Sequence, residues 1–138
     1  WALNNSYSDA FKLIRNKIQE KGETMEKQPA FFSCSLALIE SYSKIFIFEG
    51  ILEGNLTYPP RGKLGFGYDP IFIPSGEKKT LAELKSSEKN KISHRKIAIN
   101  KLIRFLTWKI VFASTYIGLG AKVSVNIVIT INLKKRKI

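Results

Sequence analysis

Hydrophobic positions recur along the chain with two different periods. Phe11, Ile14 and Ile18 fall at helical spacing, with Ser8 placed as a cap, Asp9 in the first turn and Gly22 as a stop, which predicts an amphipathic helix over residues 9–21. Beyond a polar linker, Phe32, Cys34, Leu36 and Leu38 alternate with Ser33, Ser35 and Ala37. That period of two predicts a half-buried strand with Cys34 turned inward. Residues 44–52 are rich in Ile and Phe and predict a second strand, returning antiparallel across the connection at 40–43 and ending at Glu53-Gly54-Asn55. A third, short strand is expected at 56–58.

Residues 59–70 hold three glycines and three prolines, the chemistry of a shaped loop. Ile71-Phe72-Ile73 then predicts a short strand, closed by Pro74-Ser75-Gly76. Thr80-Leu81-Ala82-Glu83 has the spacing of a capping box and predicts a helix starting at Leu81. Ser93 is a second cap, opening a helix with Ile97, Ala98, Leu102 and Phe105 on one face and His94 and Arg95 in its first turn. After Leu102 the pattern changes, and residues 110–133 are almost continuously apolar or hydroxylated before a run of four cations. Three alternatives stand for this tail. A membrane-spanning anchor fits poorly, because two glycines, Lys122 and many β-branched residues interrupt it. Two added strands, at 109–116 and 122–133, suit its β-propensity. A segment not shaped by selection for folding, as after a frameshift, is the preferred explanation.

Composition narrows the classes. With 138 residues, 44% apolar and 25% charged, the chain has ordinary globular content and length for a single core. The net charge of +12 is unevenly spread. Eight Lys and Arg and no acid lie from Lys101 onward, which leaves +4 for residues 1–100. A body at that charge suits an enzyme attracting a polyphosphate and gives no reason to expect nucleic acid as a partner. Cys34 is the sole cysteine, so an internal disulfide framework is excluded and a reducing cytoplasm fits. The chain begins Trp1-Ala2-Leu3 without a basic leader or apolar run, and reads as cut mid-domain.

The most specific stretch begins at Gly65. It reads Gly-Phe-Gly-Tyr-Asp-Pro-Ile-Phe, then Thr-Leu-Ala-Glu-Leu, then Glu-Lys-Asn-Lys-Ile-Ser-His-Arg and Ala-Ile-Asn-Lys-Leu. In order and spacing this resembles the inosine/xanthosine triphosphate pyrophosphatases, over roughly residues 1–102. The resemblance implies an α/β fold, a mixed, curved β-sheet with flanking helices, here without the family's N-terminal third. It also implies an organisation of residues 1–102 as the C-terminal part of that domain and 103–138 as an atypical basic, apolar tail. The implied activity is hydrolysis of deaminated purine nucleoside triphosphates such as ITP, dITP and XTP to a monophosphate and pyrophosphate, with Mg2+ as cofactor and a homodimer as the usual assembly.

For substrate binding, the resemblance assigns Phe66 to stacking on the purine, and Gly67, Tyr68 and Asp69 to the surrounding wall. Lys89 is assigned to a phosphate or base oxygen, Ser93 to placing the next residue, and His94 and Arg95 to the 6-oxo group. The selectivity is chemically sensible: N–H donors receive a carbonyl oxygen, while adenine would set its amino group against them, at about 1–3 kcal/mol for each buried mismatch. The family's Ser-Gly-Asn phosphate loop, its metal-binding Glu and its Asp-Asp-Ser-Gly motif do not occur here, so no catalytic residue and no metal ligand is assigned. The alternative function is a non-catalytic remnant, or half of a split enzyme completed by an N-terminal fragment, binding a purine nucleotide or a protein. Bare sheet edges and apolar faces are expected in either case.

Overall fold

The computed structural model describes residues 7–41, 44–116 and 126–130. The order of elements is α1 (Tyr7–Gln19), β1 (Pro29–Ser41), β2 (Lys44–Leu56), a 3-10 turn (Asp69–Ile71), β3 (Phe72–Pro74), α2 (Ser86–Ile92), α3 (His94–Tyr116) and β4 (Asn126–Thr130). The fold is α/β, with four strands in the order β3-β2-β1-β4. β3 runs antiparallel to β2, and β4 antiparallel to β1.

Where one core was expected, the chain forms two compact units, Trp1–Phe31 with Leu52–Lys91 and Phe32–Ile51 with Ile92–Ile138. The reason is the length of the strands. β1 and β2 have 13 residues each, a span of about 43 Å at 3.3 Å per residue. A strand of that length reaches beyond a single cluster of side chains, and β1 and β2 contribute residues to both units.

In the first unit, Phe11 of α1 packs with Met25 and Ile71, and Ile14, Ile18, Leu56, Tyr58 and Tyr68 complete the cluster. The period of three and four in α1 therefore does what the sequence predicts. Ser8, however, lies inside α1 rather than capping it, because the helix already includes Tyr7. Gly22 ends the turn that follows, at φ +75° with its N–H bonded to Gln19 O. In the second unit, Cys34, Leu36 and Leu38 of β1 are buried with Ala98 and Leu102 of α3, flanked by Phe46, Phe48, Phe105 and Leu106. Cys34 is thus a core residue, as its position in the alternation predicts. Burial pushes its thiol above the ordinary value, with the nearby Arg95 cation pulling the other way.

Several expected elements take another form. Glu53-Gly54-Asn55 does not end β2, which continues to Leu56 and absorbs the first residue of the short strand expected at 56–58. Gly54 reads as a terminator in the sequence, yet a Cβ there would collide with Ile73 O and with the Phe72 ring of the paired β3. It is a close-approach glycine within the ladder. No helix starts at Leu81. Half of the capping box forms, with Thr80 N–H donating to Glu83 Oε2 at 2.7 Å. The Thr80 hydroxyl donates instead to Arg61 O, 2.8 Å, and the Leu81 and Ala82 amides bond to Phe72 O and Asp69 O. Those bonds hold Thr80–Leu84 as a buried turn against the loop, and α2 begins only at Ser86.

Of the alternatives open for the tail, the pair of added strands is met only in part. Residues 109–116 are helical, as α3 passes position 102 without a break and ends at Tyr116. A helix capped at Ser93 propagates cooperatively and overrides the β-propensity of Ile110 and Val111. An ion pair between Lys109 and Glu40 of β1 holds this stretch. Within the second strand of that alternative, 122–133, β4 forms, with Ile127 and Val128 paired in register with Leu38 and Ala37; 122–125 and 131–133 lie outside the described residues. Among the described residues, no helix is long and apolar enough to cross a membrane.

Candidate functional site

The residues singled out in the sequence fall into two groups, one in each unit. Phe66, Gly67, Tyr68, Asp69 and Lys89 belong to the first. Ser93, His94 and Arg95 belong to the second.

In the first group, the loop bends at Gly62 and Gly65 and enters the 3-10 turn at Asp69. Asp69 is the organising residue. Its Oδ2 accepts the Phe66 N–H at 3.1 Å and the Lys89 ammonium at 2.9 Å. Both side chains of this ion pair are nearly buried, 14% exposed for Lys89 and 11% for Asp69. Gly65, at φ +99°, sits where a Cβ would collide with Asp69 Oδ2 and lie 3.0 Å from Lys89 Nζ. A side chain there would be strained by its backbone and would split the pair.

Phe66 is consequently fixed through its backbone, while the residue as a whole is 64% exposed. Lys89 Nζ stands 5.2 Å from the Phe66 ring's centroid, within cation–π range. The result is an aromatic shelf with a positive charge beside it. Tyr68 packs edge-on against Tyr7, with centroids 5.7 Å apart, and tilted against Phe11 at 6.0 Å. Burial, and secondarily Tyr7, pushes its hydroxyl above the ordinary value. Tyr68 therefore anchors the loop to α1.

In the second group, Ser93 Oγ accepts the Lys96 N–H at 3.2 Å and caps α3 as its sequence position predicts. His94 and Arg95 occupy the first turn. The His94 ring is buried and stacks on Phe32 of β1, with centroids 5.3 Å apart and planes inclined by 23°. β2 closes on the same turn: a Cβ at Gly50 would collide with His94 O and lie 2.5 Å from Ala98 N. The helix start is thus held by a backbone-to-backbone approach.

Phe32, Gly50 and Tyr7 are not among the site residues read from the sequence. Two of the three left a signal. Phe32 shares the alternation of Cys34 and so belongs on the strand face that α3 covers, and a glycine in the interior of a strand marks a close approach. The position of Tyr7 follows only from the packing of α1. Among the described residues, no three His, Cys, Asp or Glu side chains gather as a metal site.

Comparison with known proteins fixes the relationship. The profile of the Ham1 family matches residues 2–105. The chain belongs to the Ham1 family. This Ham1 chain is 49% identical over 86 residues to the dITP/XTP pyrophosphatase of Bacillus subtilis, covering 62% of itself and 43% of that enzyme. With the dITP/XTP pyrophosphatase of Thermoanaerobacter pseudethanolicus it shares 43% identity over 103 residues, 75% of this chain and 50% of that one. Its fold is similar to the solved Ham1 protein of Staphylococcus aureus, with TM-score 0.67, 32% identity and coverage of 78% and 54%. The Ham1 protein of Coxiella burnetii gives TM-score 0.68 at 36% identity, with coverage of 75% and 53%. The chain spans about half the length of the relatives it matches.

Proposed function

We propose that this chain carries the base-reading part of a nucleoside triphosphate pyrophosphatase that acts on dITP, ITP and XTP in the cytoplasm. The observation that carries the proposal is the exposed Phe66 ring, held by its own amide to Asp69 and flanked by the Lys89 ammonium. A purine stacking on that shelf would cover apolar surface without displacing any structural contact of Phe66's backbone. Lys89 offers a cation to a phosphate or base oxygen. In this proposal His94 and Arg95 meet the 6-oxo group of the purine, where a 6-amino group would set donor against donor. The names of the relatives, dITP/XTP pyrophosphatases, support the same reading.

Magnesium chemistry is the part that these residues do not fit. The described side chains offer no converging set of ligands, so no step is routed through a metal here. What the chain supplies is selection and orientation of the base. A complementing N-terminal fragment, or a homodimer partner, belongs to the proposal as the source of the remaining groups.

Calorimetric titration with ITP and with ATP tests it. Expected is a preference for ITP of roughly 5- to 150-fold, equivalent to one buried donor mismatch. Phe66→Ala should weaken ITP binding at least about tenfold while leaving the melting temperature unchanged, because the ring is exposed. Equal affinity for the two nucleotides would remove the proposal.

A further inference from the structure

The turn at residues 80–84 contributes no side chain to the nucleotide site, yet it lies against the loop that presents Phe66 and bonds to it at its entry, middle and exit. The Thr80 hydroxyl donates to Arg61 O at 2.8 Å, where the loop begins. Leu64 N–H donates to Ala82 O at 2.8 Å, and Ala82 N–H donates to Asp69 O at 3.3 Å, where the loop ends. Arg61 N–H in turn donates to Pro70 O at 2.8 Å, so the two ends of the loop meet. Gly62 rests directly on the turn: at φ +87°, a Cβ there would lie 2.3 Å from the Ala82 carbonyl carbon and oxygen.

These contacts set where the ring can stand. Asp69 Oδ2 holds the Phe66 amide and the Lys89 ammonium, but a carboxylate directs its partners only as well as its own backbone is placed, and that backbone is bonded to Ala82. The turn is firmly packed, since Thr80, Leu81, Ala82 and Leu84 are all buried and Thr80 is 0% exposed. Two of its bonds to the loop come from main-chain atoms of Ala82, which most residues would supply equally. The bond to Arg61 O needs a hydroxyl on Cβ, which Thr and Ser alone carry. In a place closed to water, losing that hydroxyl leaves no solvent to take over its bond.

We propose that Thr80 is a positioning residue for purine recognition: its hydroxyl fixes the entry of the loop and, through the loop, the placement of the Phe66 ring and of the pair formed by Asp69 and Lys89. The inference rests on the reading of Phe66 as the purine shelf. It adds that the placement of the shelf is decided by a buried side chain that itself meets no nucleotide. The hydroxyl that the sequence offers as a helix cap serves the loop instead.

Thr80→Val and Thr80→Ser, each in the full chain, separate this role from a merely structural one. Val keeps the buried volume and removes the donor, while Ser keeps the donor and removes a buried methyl group. Both should melt a few degrees below the parent. Only Thr80→Val should bind ITP more weakly in calorimetric titration, by about tenfold, with Thr80→Ser within about twofold of the parent. Without nucleotide, the NMR signals of the Phe66 amide and ring should change in Thr80→Val and match the parent in Thr80→Ser. Unchanged Phe66 signals in Thr80→Val, or ITP affinities that follow the melting temperatures of the two variants, would each overturn the proposal. Should Thr80→Val not fold, Thr80→Ser decides by itself: parental affinity upholds the role of the hydroxyl, and a loss of about tenfold overturns it. A parent that binds ITP no better than ATP removes the purine shelf and this role together, whereas a parent that prefers ITP, matched by Thr80→Val, removes this role alone.

Discussion

The two places that hold the residues proposed to read the nucleotide are built by different forces. At the loop, one carboxylate does the organising: Asp69 Oδ2 gathers the Phe66 amide and the Lys89 ammonium in a nearly buried ion pair. At the start of α3 the constraint is steric, with Gly50 of β2 seated against the His94 carbonyl and Phe32 stacked on the His94 ring. The first arrangement is directional and electrostatic. The second is a matter of volume, and it tolerates no added atom. The difference teaches that a binding residue can be fixed by charge or by close approach, and that the two should fail in different ways.

The largest effect is expected at the steric site. Gly50→Ala places a methyl group against two backbone atoms that cannot give way as the end of a flexible side chain could. A loss of about 3 kcal/mol or more in chemical denaturation is expected, at the upper end of overpacking. A variant as stable as the parent would show that β2 can retreat from α3. Asp69→Ala comes next. It leaves Lys89 without its carboxylate and the Phe66 amide without its acceptor, at a cost of about 2–3 kcal/mol, somewhat under that of breaking a fully buried pair. Its Phe66 ring should also become free to turn, which NMR line shapes of the labelled ring would report. A ring that stays fixed would mean that Tyr7 and Phe11, acting through Tyr68, hold the loop unaided.

The smallest effect concerns Glu83, which accepts the Thr80 amide at the foot of the loop, 3.7 Å from Arg61 Nε. The Thr80 N–H holds its carboxyl below the ordinary value of 4.5, with Arg61 adding to the effect. A depressed carboxylate contributes stability that is complete above the unfolded-state value and fades as pH falls through the folded one. Melting temperature should therefore decline below about pH 4.5 by more in the parent than in Glu83→Gln. At pH 7 the substitution should cost under about 1 kcal/mol, because the side chain is partly exposed. Parallel pH curves for the two proteins would remove Glu83 from the account.

Much of the fold is legible in the residue pattern alone, and the places where that pattern misleads share a cause. The alternation of Phe32, Cys34, Leu36 and Leu38 identifies the inward face of β1, and Ser93 identifies the cap that sets His94 and Arg95 in a first turn. Both are local patterns, with the signal and the structure it specifies within a few residues of each other. Gly54 misleads because the same residue serves as a terminator and as a point of close approach, and the distinction lies in β3, some twenty residues away. Thr80 misleads for a similar reason. Its hydroxyl has two possible uses, a cap for the following turn or a bond to Arg61 O, and the folded loop selects the second.

On its own, then, the sequence determined the period of each long element, the inward side chains, the cap of α3 and, through the ordered run from Gly65 to Leu102, the family. Tertiary structure decided which contacts hold these residues: Asp69 as the acceptor shared by Phe66 and Lys89, Phe32 beneath His94, Gly50 behind the helix start, and the helical form of 109–116. Periodicity and capping depend on residues a turn or a pleat apart and are written locally. Contacts between distant segments exist only once the chain has closed on itself, and a propensity as weak as that of Ile110 and Val111 yields to the helix already propagating into them.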